Sequence, residues 1–159
     1  MVAGHRETHP VSSREFRLWL CHRYYRQTGK SPNNQAQTDA LGTLEAKALY
    51  DGPEYSVFTR VAEVNGRIYL DLCKEDWRVV EITAEGWKVI ESSPVKFIRH
   101  RGMAPLPVPV KGGSLADFRK HLNISADQWP LAVAWLLGSL SPTGPYPILV
   151  LIGEHGSAK

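Results

Sequence analysis

An α+β chain in two parts is what this sequence predicts. The first part is a helical pair followed by an antiparallel β-meander; a linker then leads into the first helices and strand of a P-loop α/β domain. Three observations carry that prediction. Apolar residues recur every three to four positions through residues 13–50, the spacing of one helix face. From Tyr55 to about Arg99 the period drops to two, around an Asn65-Gly66 pair that marks a tight hairpin. Near the other end, the aliphatic run Ile148-Leu-Val-Leu-Ile152 passes straight into a glycine-bearing loop ending in Lys159.

Composition fits such a chain. With 43% apolar and 22% charged residues the protein has a globular make-up, which excludes wholesale disorder. Residues 1–30 hold six Lys or Arg against two acids, so the whole excess of positive charge lies at the N-terminus and points to an anionic partner there. The first ten residues carry no apolar stretch of a secretory signal. Residues 128–153 are free of charge, but Pro142, Gly144, Pro145 and Pro147 divide them into pieces too short to span a bilayer, so no membrane is expected. Cys21 and Cys73 lack a metal or redox spacing and read as free, partly buried thiols of a cytoplasmic protein.

Residues 1–12 read as a flexible tail and 13–100 as one α+β domain. Ser12-Ser-Arg-Glu15 is a capping-box pattern that starts a helix running to Thr28 and stopped by Gly29. Phe16, Leu20 and Tyr24 form its apolar face. Arg23, Arg26 and Lys30 follow Trp19 at +4, +7 and +11, a positive stripe containing an aromatic. Such a stripe suits a nucleic-acid backbone with Trp19 as a stacking platform. It suits equally a packed tryptophan with arginine stems lying around it, which is the plainer account. Ser31 and Pro32 open a second helix that reaches Tyr50, with Ala36, Ala40, Leu41, Leu44, Ala48 and Leu49 on one face. A DNA-reading helix-turn-helix is disfavoured, because this second helix holds only Lys47 as a cation.

The meander is built from 57–64, 67–72, 78–83 and 87–90, with a further short strand at 95–98. Trp77 and Trp87 flank a turn and are expected to pack on the sheet. Lys96, Arg99, His100 and Arg101 make a second basic cluster. Residues 101–113 are the linker, whose alternating prolines favour a stiff polyproline II spacer. The last unit, 114–159, opens with a short helix capped by Ser114 and a longer one capped by Ser125. Trp129, Ala132, Val133, Leu136, Leu137 and Leu140, with Leu131 and Trp135 opposite, make the longer helix apolar almost all round, hence deeply buried.

Catalytic sets are otherwise missing from the sequence. The six histidines show neither H-E-x-x-H nor a ligand spacing with cysteine, and no G-x-S-x-G nucleophile occurs. Asp71 and Asp76 read as ordinary hairpin carboxylates. The loop Gly153, Glu154, His155, Gly156, Ser157, Ala158 and Lys159 is the one mechanistic motif. In G-x-x-x-x-G-K-[ST] a strand delivers the loop, backbone N–H groups cradle phosphate and the lysine reaches its outer oxygens. Gly153 and Lys159 stand at the required separation, while Ala158 replaces the second glycine.

The segments Arg101-Gly-Met-Ala-Pro-Leu-Pro, Gly112-Gly-Ser-Leu, Trp135-Leu-Leu-Gly-Ser-Leu and Gly144 to Lys159 together resemble bacterial and phage ATP-binding proteins related to viral primase-helicases. Gly66-Arg-Ile-Tyr-Leu-Asp-Leu and Glu81-Ile-Thr-Ala-Glu-Gly-Trp resemble the region before the ATPase of that family. The resemblance spans about residues 14–159 and implies a parent, phage or mobile-element in kind, that couples ATP and Mg2+ to work on nucleic acid. Residues 114–159 then form the truncated start of its ATPase domain, ending within the Walker A loop. No cofactor or hydrolysis is expected of this chain by itself, since the Ser/Thr, the Walker-B acid and the arginine finger lie beyond that loop. A homo-oligomer is a possibility for the full-length parent. The competing expectation is a stand-alone module that binds single- or double-stranded DNA, or an adaptor, using Trp19, Arg23, Arg26, Lys30, Lys96, Arg99 and Arg101.

Overall fold

A computed structural model describes residues 6–153. Helix α1 spans Arg14–Thr28 and α2 spans Asn34–Tyr50. Both start one or two residues later than the capping patterns predict. Ser13, whose N–H donates to the Pro10 carbonyl at 2.9 Å, is the cap of α1, and its Oγ accepts from Phe16 N at 3.1 Å. The turn from Pro10 places Ser13, not Ser12, at the helix mouth. Asn33 caps α2 in place of Ser31, accepting from Ala36 N at 2.7 Å. Gly29 ends α1 with φ 68°, a left-handed turn that favours glycine, and returns its N–H to the Tyr25 carbonyl.

Six strands follow: β1 (Val57–Phe58), β2 (Val61–Val64), β3 (Arg67–Asp71), β4 (Val79–Thr83), β5 (Gly86–Ile90) and β6 (Lys96–Phe97). Strands β2 to β5 form the expected antiparallel meander in sequence order, with Asn65 and Gly66 both at positive φ in the first hairpin. The run 57–64 is not one strand. Arg60 adopts φ 66°, which breaks the run and separates β1 from the sheet. Nor does 95–98 extend the meander: β6 pairs in parallel with β1, Val57 beside Lys96 and Phe58 beside Phe97.

Register explains the core. Ala62, Tyr69 and Glu81 stand in one row across the sheet, and Asp71, Val79 and Ile90 in the next row of the same face. Phe97 covers this face with Ala62, Tyr69 and Val79, and Phe58, Val64, Trp77, Ile90 and Val95 pack around them. Glu81 comes to lie nearly buried between cations: Arg67 and the Tyr69 hydroxyl donate to Oε1 at 3.0 and 3.2 Å, and Lys88 reaches Oε2 at 2.9 Å. These donors, Lys88 first and then Arg67, pull its pKa from 4.5 down to about 2.

The linker starts later than the prolines predict. Leu106 N donates to the Leu72 carbonyl at 2.8 Å, and Arg60 Nη2 to the Ala104 carbonyl at 2.9 Å, so 104–106 adhere to the sheet domain. Helix α3 (Leu115–Arg119) and α4 (Trp129–Gly138) follow. Gln128, without a side-chain cap bond, precedes α4 where Ser125 is expected. The expected deep burial of α4 does not occur: Ala132 is its one buried residue, and Leu131 and Leu137 are exposed. The strand expected over 148–152 does not form either. A parallel strand requires hydrogen-bonding neighbours, and none lies beside it among the described residues. The segment instead lies against α4, where Trp135 Nε1 donates to the Pro147 carbonyl at 3.0 Å. Leu149 and Leu151 are half-buried, whereas Ile148, Val150 and Ile152 stand exposed. Among the described residues no helix is long and apolar enough to cross a membrane.

Candidate nucleic-acid interface

Placing α1 beside the sheet begins with a buried ion pair. Asp71, fully enclosed at the end of β3, receives Arg99 Nη2 on Oδ1 at 2.7 Å and Arg99 Nε on Oδ2 at 2.8 Å. A carboxylate removed from water demands such a two-pronged partner. Arg99 Nη1 donates to the Lys74 carbonyl at 2.6 Å, and its guanidinium lies 3.8 Å from the centre of the Trp77 ring. Cys73 is drawn in as well, its N–H donating to Asp71 Oδ1 at 3.0 Å and its thiol to Oδ2 at 3.3 Å. Burial, and then the Asp71 charge, push the Cys73 thiol pKa up, which keeps it a protonated donor.

The N-terminal segment docks onto this cluster. His9 meets Trp77 edge-on with ring centres 6.0 Å apart, and His9 Nε2 lies 2.7 Å from Glu7 Oε2. Residues 6–11 therefore are seated where a loose tail is expected. The chain then turns into α1, and residues of its first half share a groove with Lys96 of β6. This groove of about 630 Å³ is lined on one side by Arg6, Thr8 and His9, on the other by Phe16, Leu18 and Trp19, with Lys96 beside them.

Within the groove Phe16 and Trp19 pack at 5.4 Å between ring centres, and Arg23 places its guanidinium 5.5 Å from the Trp19 ring. Trp19, His22 and Arg26 are spaced i, i+3, i+7, so the groove wall continues along one helix face into Arg26. Lys96 is held in place by Tyr55, its ammonium 3.3 Å from the ring centre.

The sequence-predicted nucleic-acid residues thus divide. Trp19 and Lys96 share the groove, and the exposed Arg23 and Arg26 extend it. Lys30 is exposed beyond the end of α1, and Arg101 is exposed in the turn after β6, neither lining the groove. Arg99 stands apart from its neighbours in sequence, since its guanidinium is committed to Asp71, Lys74 and Trp77. Within β6 Phe97 is buried in the core while Lys96 lines the groove, and Arg99 lies past the strand end, where Asp71 holds it. Arg6, His9 and His22 were not singled out by the sequence, and Phe16 was read as part of the apolar face of α1; the Phe16–Trp19–Arg23 spacing is a local signal that marks part of the wall.

Of the phosphate-loop residues, Gly153 follows the exposed Ile152. Glu154, His155, Gly156, Ser157, Ala158 and Lys159 lie outside the described residues. Among the described residues no three His, Cys, Asp or Glu side chains are grouped to hold a metal ion. Comparison with protein-family models, with curated proteins and with solved structures returned no match.

Proposed function

We propose that this chain is the N-terminal, nucleic-acid-engaging part of a P-loop ATPase of the phage and mobile-element primase-helicase type. In that reading ATP and Mg2+ are handled by the parent protein through the loop Gly153–Lys159, and the described part grips a nucleic-acid strand. The observation that carries it is the meeting of Trp19 with Lys96 across one groove, flanked by Arg23 and Arg26. Cations spaced along an aromatic wall are what a flexible, anionic, base-bearing polymer requires.

Anisotropy titration of a labelled single-stranded oligonucleotide across a salt series tests the grip. Affinity should fall as salt rises, and the pair Arg23→Ala and Arg26→Ala should flatten the logarithmic slope by about 1.4, or about 0.7 per lost phosphate contact. An unchanged slope would remove these arginines from the interface. The ATPase half is tested by reading the gene past codon 159. A frame continuing with Ser or Thr, a helix and an apolar strand ending in an acid supports it; a stop codon there defeats it.

A second reading, a nucleic-acid-binding module acting without an ATPase, is favoured by one observation. Among the described residues every groove-lining one falls within 6–96, so the segment that leads to Gly153 takes no part in the groove as described.

A further inference from the structure

Building on the nucleic-acid reading above, we propose that the groove between α1 and the N-terminal segment is a pocket for an unstacked nucleobase. Phe16, Leu18 and Trp19 supply its apolar wall, and the phosphates on either side of that base run over Lys96 and over Arg23 and Arg26.

Charge separates the two roles. Among the described residues the floor of the groove holds one arginine, Arg6, against two carboxylates, Glu7 and Glu15, and Lys96 stands at its edge. A floor with two carboxylates is a poor site for a phosphate, while the apolar wall beside it suits a flat, neutral, polar-edged ring. Thr8, Glu15 and His22 offer donors and acceptors to the edge of such a ring, while Phe16, Leu18 and Trp19 offer it surface. Leu18 is 52% exposed, an apolar side chain left open on the groove wall.

Cations border this floor. Arg23 lies against Trp19, and Arg26 stands one turn past His22 on the same face of α1. Lys96 stands on the β6 side, where Tyr55 fixes its ammonium. A single strand crossing from one border to the other keeps its phosphates on cations while a base between them drops onto the aromatic wall. A duplex presents no free base face to that wall, so the pocket selects unpaired nucleotides. The groove, at about 630 Å³, has room for a base and its sugar.

The test compares the full chain binding a labelled oligothymidylate with its binding of an abasic deoxyribose-phosphate strand of the same length at fixed salt. The abasic strand should bind about tenfold more weakly, the loss expected for one stacked base. Leu18→Ala, a neutral truncation at an exposed position that the fold does not depend on, should weaken oligothymidylate binding while leaving the abasic strand unchanged. Equal affinity for the two strands would overturn the base pocket and leave the nucleic-acid reading standing. Failure of the unmodified chain to bind either strand, even at low salt, would overturn both.

Discussion

The meander and the helical segments on either side of it are built on opposite terms. The sheet encloses Val61, Ala62, Tyr69, Leu72, Val79, Val80 and Phe97, together with the polar Asp71 and Glu81. Helices α1 and α2 bury no residue at all, and α4 buries Ala132 alone. Amphipathic helices draw their stability from the face they bury. The sheet domain therefore carries most of the burial of the described residues. The exposed side chains differ in chemistry: on α1 they include cations such as Arg23 and Arg26, whereas on α4 and 148–152 they are aliphatic and uncharged.

Substitutions can break or sharpen that contrast. The largest effect should come from Asp71→Ala, which leaves Arg99 half-enclosed and unmatched; breaking a buried pair costs about 3–5 kcal/mol, read as a drop in urea stability. A loss below about 1 kcal/mol would mean that the pair does not anchor the fold. Phe97→Ala should cost a comparable ~3–5 kcal/mol through its cavity, whereas Leu137→Ala, 65% exposed on α4, should stay within about 0.5 kcal/mol. Equal losses at the two sites would erase the distinction between core and helices.

Removing the Ser13 hydroxyl, Ser13→Ala, should cost about 1 kcal/mol of helix stability. Because α1 buries no residue fully, circular dichroism should show lost helix signal while the near-ultraviolet signature of the sheet persists. Smallest is a pH effect within the sheet. Glu81 is held at about 2 when folded, against an ordinary value near 4.5, so its contribution is complete above that value and fades as pH falls toward 2. The urea midpoint of the parent should decline over that window, and Glu81→Gln should flatten the decline. Parallel pH profiles for the two proteins would show that the Arg67–Glu81–Lys88 row adds nothing.

How far the sequence could be read depends on the range of the interactions. The Asn65-Gly66 hairpin was legible because turn geometry and alternation agree locally. Helix existence was legible too, as were the Ser114 cap of α3 and the Gly29 stop of α1, but not the caps of α1, α2 and α4; for α1, Ser12 and Ser13 are both suitable and the turn from Pro10 chooses between them. The break at Arg60 was hidden: a left-handed arginine in a run of β-formers has no local signal, and it is secured by distant partners at Asp71 and Ala104. For the candidate site, Trp19, Arg23 and Arg26 could be named from helical spacing alone. That Trp19 and Lys96 line one groove is a relation between segments far apart in the chain, which no local pattern displays. The exposure of α4 was missed for the reverse reason, since an all-round apolar pattern demands a cover that the described residues do not provide.

The hydrogen bonds from Leu106 to Leu72 and from Arg60 to Ala104 have a mechanical meaning. They clamp the connector to the far end of β3, so a pull on the segment beyond Leu106 is delivered there first. Arg60 also donates to the Asp71 carbonyl at 3.2 Å, while the N-terminal segment leans on the same residue through His9, Trp77 and Arg99. Tension from either end of the described chain thus converges on Asp71. Asp71 thus works as a shared fastening point for the connector and the N-terminal segment, so that Asp71→Ala should loosen both at once.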